Sequence, residues 1–365
     1  MKELTGDQIV PMRLHSQRIA GVPEPTPEAA VAWLGALQGQ DYEAAKWAIG
    51  LRSGADLAAV EAAVDRGDFV RTWLLRGTLH VVAAADVRWI LALVGPRLIA
   101  NSARRYQQLD LDDGTLARGC DSLADALHDR DCLTRAEMFQ VLEEAGISTE
   151  GQRGYHILRH AGLCAITCHG PKDGKQETFV LLEDWLQPDE GPDGEEAVAA
   201  LAWRYFRSHG PANLRDFVWW SGLRVSQARS GIASLATQLE EVEHDGEVCW
   251  VPHLEEGQGT GSSPSVLLLP AFDEYYLGYQ DRSAMLEAAF DSRLVSSNGY
   301  FRPAIIVDGR VVGTWKADRS NDAVAISIEP FRDLTSDELD GIAGAARQYR
   351  EYLGVPAELS EPYQP

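Results

Sequence analysis

Two glutamines one residue apart, Gln38 and Gln40 in the run Leu37-Gln-Gly-Gln-Asp-Tyr42, are the side chains of this sequence best placed to share one small ligand. The spacing predicts that they close a helix, with Gly39 allowing a bend between them. Two amides on a bent backbone can both face a water or a hydroxyl. From spacing alone, two exposed glutamines at a helix end with a glycine cap are the simpler reading. In either case neither amide belongs to the core, so alanine in their place should leave stability unchanged. Asp41 is a stronger base but stands one residue further round, and ranks below both. A second group is Arg71, Arg76, Thr78 and His80 on the hairpin predicted over Phe69–Ala83, where arginine can supply a charge-assisted fork to phosphate. A structural hairpin with a satisfied histidine is the competing reading. Arg153, His156 and Arg159 share a predicted helix over Gly151–Gly162 that could contact nucleic acid or only pack. The aromatic run Phe272–Tyr279, with Asp273 and Arg282, reads as a cleft wall or, more simply, as core with a buried ion pair.

Other chemistries are excluded by missing motifs. There is no phosphate loop, no dinucleotide-binding glycine fingerprint after a strand, no His-Glu-x-x-His, no nucleophile elbow and no zinc-deaminase signature. Five cysteines, at 120, 132, 164, 168 and 249, are an odd number in a long chain and do not suggest a disulfide framework. Cys164 and Cys168 with His169 would need a second pair to hold zinc, and Cys249 with His253 is the only rough candidate. Structural thiols are the expectation, with no metal and no cofactor.

The chain has 365 residues and a formal charge of −22, from 33 basic and 55 acidic side chains. That acidity disfavours bulk-charge nucleic-acid binding. It does not exclude a local basic strip, since arginines concentrate at Arg71–Arg76, Arg97–Arg105 and Arg153–Arg159. Each island is equally compatible with a solvated helix face. An apolar fraction of 45% with 24% charged residues is that of a globular protein. No apolar run approaches a membrane span, and the first residues lack a secretory signal, so a soluble cytoplasmic protein with no membrane partner is expected.

The length calls for two or three packed units. Proline- and glycine-rich stretches at Gln187–Gly194 and Glu255–Pro264 read as linkers. Between them a helix–helix–hairpin order repeats. Thr134 caps a helix ended by Gly146; a second helix, strand Leu163–Thr167 and strand Glu177–Leu182 follow. From Glu195 the order recurs, with Asn213 capping Leu214–Trp220, a helix over Ser226–Leu235, and strands Leu239–His244 and Glu247–Val251 around Asp245-Gly246. A looser copy has helices from Thr26-Pro27 to Leu37, Tyr42–Leu51 and Leu57–Arg66 before the Phe69–Ala83 hairpin. After Pro264 come strands Val266–Leu269, Arg302–Val307, Arg310–Trp315 and Ala323–Glu329, then a helix over Ser336–Tyr352. The predicted class is α+β: three tandem winged helix-turn-helix units, over 1–85, 86–190 and 191–258, and a small β-rich, barrel-like domain over 259–365.

Leu37-Gln-Gly-Gln-Asp-Tyr42 followed by Trp47-Ala-Ile-Gly-Leu-Arg52 resembles the winged-helix DNA glycosylase family typified by AlkZ, the azinomycin-resistance type. So do Arg71-Thr-Trp-Leu-Leu-Arg-Gly-Thr-Leu-His80, Leu268-Leu-Pro-Ala-Phe-Asp-Glu-Tyr275, Leu277-Gly-Tyr-Gln-Asp-Arg282 and Arg302-Pro-Ala-Ile-Ile-Val-Asp-Gly-Arg310. The resemblance spans nearly the whole chain. It implies a C-shaped arrangement around a DNA-sized concavity and catalysis by a Gln–apolar–Gln signature, here with Gly39 in the middle. On that basis Gln38 and Gln40 are catalytic, with Gln38 holding the water or sugar and Gln40 orienting the water. The implied enzyme is a monofunctional DNA glycosylase that removes bulky or cross-linking N7-alkylguanine adducts and guards its host against a genotoxic natural product. Its implied partner is double-stranded DNA carrying alkylated purines, met as a monomer. The competing function is a non-catalytic winged-helix protein, either a transcription regulator or a drug-sequestering binder; no coiled-coil heptad supports a dimeric regulator.

Overall fold

A computed structural model describes residues 1–187, 191–253, 266–319 and 323–355. The glycine-rich stretch Glu255–Pro264 lies outside the described residues. The fold is α+β, and its contacts separate two compact units, Ala63–Ala200 and Met1–Ala62 together with Leu201–Pro365. Among the described residues no helix is long and apolar enough to cross a membrane.

Within Ala63–Ala200 an antiparallel sheet runs in the order Thr78–Ala83, Phe69–Leu74, Thr167–His169, Thr178–Leu181, Leu133–Thr134. Phe69–Leu74 is buried at every position, because helices Ala84–Asn101 and Arg153–Leu163 pack on it. Gly162 lets the second of these helices close down, since a Cβ there would stand 2.7 Å from the Trp73 ring. The helix expected from Thr134 forms over Arg135–Glu144, with a reciprocal cap between Thr134 and Glu137. The strand expected over Leu163–Thr167 starts later, at Thr167. The helix runs on to Leu163, and Ala165 turns the chain at φ 57°. Helices Ala84–Asn101, Ala103–Gln108 and Asp113–His128 were not anticipated, although Val87, Ile90, Leu91, Val94 and Leu98 carry the three-and-four spacing of a buried stripe.

The other unit holds two four-stranded sheets. One is built on the hairpin Leu239–His244/Glu247–Pro252, whose turn residues Asp245 and Gly246 both take positive φ, as the sequence pair predicts. Lys2–Glu3 and Ala212–Asn213 flank it. Helices Gly194–His209 and Leu214–Ser221 bring Tyr205, Phe206, Phe217 and Trp220 into one aromatic core. The second sheet is an antiparallel meander of Val266–Leu269, Ala304–Val307, Arg310–Arg319 and Val324–Pro330. Helix Ser336–Tyr352 packs against its first strand. Among the described residues Val266–Leu269 and Val324–Pro330 are the edges of this sheet.

Candidate active site around two glutamines

The two glutamines do not close a helix. Helix Pro27–Leu34 stops at Gly35, which takes φ 83°, and Leu37–Gln38 forms a two-residue strand. Helix Tyr42–Ser53 starts directly afterwards, capped by Asp41, whose Oδ1 accepts from the Ala44 N–H at 3.0 Å. Gly39 does not adopt positive φ, so the bend comes from the strand-to-helix connection itself.

The Gln38 side chain is folded back over this connection. Its Oε1 accepts from the backbone N–H of Gly39 at 2.9 Å and of Gln40 at 3.2 Å. Those two donors fix which end of the amide is oxygen, and its Nε2 then lies 3.5 Å from Gln40 Oε1. Gln38 is 6% exposed and Gln40 is exposed. Contrary to the sequence expectation, then, Gln38 is part of the packed interior. It braces the loop, while Gln40 presents its amide outward.

Beneath Gln38 lies a buried polar network that sequence reasoning missed. The Gln38 backbone N–H donates to Glu274 Oε1 at 3.0 Å, and Trp220 Nε1 donates to Glu274 Oε2 at 3.1 Å. His209 Nε2 stands 3.6 Å from that same oxygen, too long for a good hydrogen bond. Burial pushes the His209 imidazole below its ordinary value despite the neighbouring Glu274. Next to Glu274, Asp273 receives both Arg52 guanidinium nitrogens, at 2.9 and 2.7 Å, with both side chains fully buried. Gln17 ties the two halves together: its Oε1 accepts from Arg52 at 2.9 Å and its Nε2 donates to the Glu274 carbonyl at 3.0 Å. The expected ion pair at Asp273 therefore exists, but its partner is Arg52 and not Arg282, which donates to the Tyr276 carbonyl instead. The available signal was an acidic pair, Asp273-Glu274, inside an otherwise apolar run. Such a pair needs buried partners.

The arginine candidates occupy varied positions. Arg71 is 4% exposed in the middle of its strand and pairs with Glu177 at 2.5 Å. Glu177 also meets Arg135 at 3.3 Å and lies 3.8 Å from His169, whose value burial presses down to about 3. His80 is wholly buried, with Nδ1 2.9 Å from the Thr78 carbonyl. Thr78 pairs with Leu74 in the ladder, and Arg76 sits half-buried at the tip, between Leu75 and Gly77 at φ 43° and 82°. Arg153 donates to the carbonyls of Ser148, Leu109 and Asp110. Arg159 donates to the Gly77 carbonyl at 3.4 Å and to Ser102 Oγ at 2.8 Å. Arg71, Arg153 and Arg159 thus tie strands, loops and turns together. Cys168 is buried on its strand, where desolvation lifts the thiol to about 12, and Cys164 ends the preceding helix 3.6 Å from His160 Nε2.

A pocket of about 660 Å³ opens beside the glutamine loop, lined by Asp41, Trp47, Tyr300, Arg302, Trp315 and Tyr349 among others. Lys46, the lysine nearest the glutamines in sequence, is 2% exposed and held by Glu43 at 2.9 Å and Glu61 at 2.7 Å.

Comparison with known proteins places the chain in a family. The family described as DNA glycosylase AlkZ-like matches residues 31–352. The interstrand DNA cross-link repair glycosylase of Streptomyces sahachiroi is 26% identical over 328 residues, which is 85% of this chain and 87% of that protein. The solved structure of Streptomyces sahachiroi DNA glycosylase AlkZ superposes with a TM-score of 0.79 at 21% identity, over 99% of each chain, a likeness of fold. With a match that takes in the glutamine loop, its buried support and the C-terminal sheet alike, this chain belongs to the AlkZ-like family of DNA glycosylases.

Proposed function

We propose that the protein is a monofunctional DNA glycosylase that hydrolyses the N-glycosidic bond of bulky N7-alkylguanine in duplex DNA, including bases joined in an interstrand cross-link. In this reading three tandem winged helices and a β-rich domain present the glutamine loop to the duplex. The enzyme is a cytoplasmic monomer that works on nucleoid DNA without metal or cofactor and gives resistance to a genotoxic natural product. The cross-link repair glycosylase of Streptomyces sahachiroi supports the substrate class. The observation that carries the reading is the amide pair, in which Gln38 is buried and locked while Gln40 beside it is exposed.

The chemistry suits amides. Alkylation at N7 makes the purine cationic, so breaking the C1′–N9 bond returns the electron pair to the base and neutralises it. The sugar becomes an oxocarbenium-like cation, and a water adds to C1′ and then loses a proton to solvent. Such a leaving group needs little acid catalysis, and the water needs orientation more than deprotonation. Gln40 Oε1 can accept a hydrogen from that water and turn a lone pair toward C1′. Asp41 is occupied otherwise: its Oδ1 caps the following helix. Lys46 is a poor amine nucleophile because two glutamates hold it. The test is release of free N7-alkylguanine from a duplex, read as alkali-developed strand cleavage. A chain that binds alkylated duplex without releasing base would refute the reading.

A further inference from the structure

Within Ala63–Ala200 the arginines fall into two kinds. Arg66, Arg71, Arg130 and Arg135 each meet a carboxylate, from Asp68, Glu177, Glu137 and Glu177 respectively. Arg105, Arg153 and Arg159 are held by neutral acceptors and meet no carboxylate among the described residues. Arg105 donates to Gln108 Oε1 at 3.2 Å and to Gln152 Oε1 at 2.7 Å. Arg153 donates to the carbonyls of Ser148, Leu109 and Asp110, and Arg159 to the Gly77 carbonyl and Ser102 Oγ. A carboxylate would cancel the charge of a guanidinium; an amide, hydroxyl or carbonyl only orients it. Each fork keeps N–H groups to spare, since a guanidinium has five and Arg153 and Arg159 engage only Nε and Nη1.

The same contacts bring the three onto one face. Helix Ala103–Gln108 lies beside helix Arg153–Leu163: Ser102 before the first meets Arg159, Arg105 meets Gln152, and Leu109 after it meets Arg153. His156 stands three residues from both Arg153 and Arg159, on their side of the helix. Burial presses its imidazole below the ordinary value, and Arg105 and Arg159 press it further. The face is thus locally positive on a chain whose formal charge is −22. Gly77, at φ 82°, leaves the room Arg159 occupies, for a Cβ there would stand 2.6 Å from its Nη2.

We propose that this two-helix face is a site for backbone phosphates of DNA, where Arg105, Arg153 and Arg159 turn their spare N–H groups to phosphate oxygens. The inference rests on the glycosylase reading and adds to it a place where the backbone is held. Oriented guanidiniums give charge-assisted bonds to phosphate that position a duplex without reading its bases. The face therefore acts alike on damaged and undamaged DNA.

The test is fluorescence anisotropy of the full chain with a labelled undamaged duplex over a series of KCl concentrations, with urea melts alongside. Arg105→Ala removes only exposed hydrogen bonds and should stay folded. It should lower the slope of log K against log salt by about 0.9, and Arg105→Ala/Arg159→Ala by about twice that, one phosphate contact each. Arg105→Lys keeps the charge and should keep the slope. Arg66→Ala is the control, because Asp68 already offsets that charge, and it should change nothing. Inorganic phosphate at constant ionic strength should displace the duplex no better than chloride does. An unchanged slope in folded Arg105→Ala, a loss in Arg105→Lys as large as that in Arg105→Ala, or an equal loss in Arg66→Ala would overturn the site. Specific displacement by inorganic phosphate would make it a site for a free anion and overturn the backbone assignment. Failure of wild type to release an alkylated base, with these slope changes present, would instead overturn the glycosylase reading.

Discussion

Replacing Gln38 with alanine tests both the brace it makes in the structure and the catalytic part proposed for it. The substitution removes the Oε1 atom that accepts from the Gly39 and Gln40 N–H groups. The Gly39 amide is buried, and losing this acceptor should cost about 1 kcal/mol, the net worth of a typical intramolecular hydrogen bond. The Gln40 donor is nearer solvent and should cost less. The urea midpoint should therefore fall while the slope stays unchanged, since the surface exposed on unfolding is the same. Excision should fall as well, by about tenfold or more, because Gln40 loses the amide that faces its Oε1 at 3.5 Å. A tenfold loss corresponds to about 1.4 kcal/mol of transition-state stabilisation. Gln40→Ala is the control: its side chain is exposed, so it should lose activity to the same degree with stability within about 0.5 kcal/mol of wild type. Single-turnover base release and urea melts on both variants give the four numbers required. Gln38→Ala with an unchanged midpoint and full activity would refute the bracing argument.

Glu274→Gln should keep much of the buried geometry and lower kcat with little change in KM, because Glu274 acts through the Gln38 backbone and not on substrate; an effect confined to KM would count against this. Arg71→Ala should act on stability, by roughly 1–3 kcal/mol, a value between those of exposed and buried ion pairs, since it removes the buried partner of Glu177 and leaves it Arg135. Arg76→Ala should instead weaken binding to damaged and undamaged duplex alike and lower the salt slope by about one; a loss on damaged DNA alone would make it a lesion reader. Acid should destabilise the fold in a defined window. His169 and His209 are fully buried with values pressed below the ordinary one, so the unfolded chain binds more protons. Their contribution is complete above about pH 6.5 and is lost progressively as pH falls below it, by up to about 2.7 kcal/mol per pH unit for two protons. Urea midpoints at pH 7.5, 6.5 and 5.5 check the sign, and a midpoint that rises on acidification would reverse it.

The local grammar of this protein was legible wherever one or two residues decide the backbone. Thr134 with Glu137, Asn213 with Asp216, and Asp245-Gly246 each produce the cap or turn their chemistry predicts. The glutamine loop was legible as a pair of neighbouring amides but not as a structure. Its burial depends on Glu274, which lies 236 residues away, and no local spacing reports a partner that distant. The same holds for Arg71: a hairpin arginine looks exposed until Glu177, 106 residues on, is found beside it. The helices over Ala84–His128 were missed for a different reason. Their apolar stripe is present at three-and-four spacing, but Pro96 lies inside the first of them, where proline ordinarily marks a helix end. Long-range polar pairing, more than hydrophobic pattern, is what sequence reading left out.

The claim that a braced amide pair directs water onto C1′ is tested most directly by one single-turnover reaction on a duplex bearing a single N7-alkylguanine, run with and without borohydride and with and without a chelator. The account predicts free alkylated guanine and an abasic strand that breaks only after alkali. It also predicts no protein–DNA adduct with borohydride, an unchanged rate with chelator, and no release of uracil from a matched control duplex. A borohydride-trapped adduct, strand scission before alkali, or efficient uracil release would contradict it.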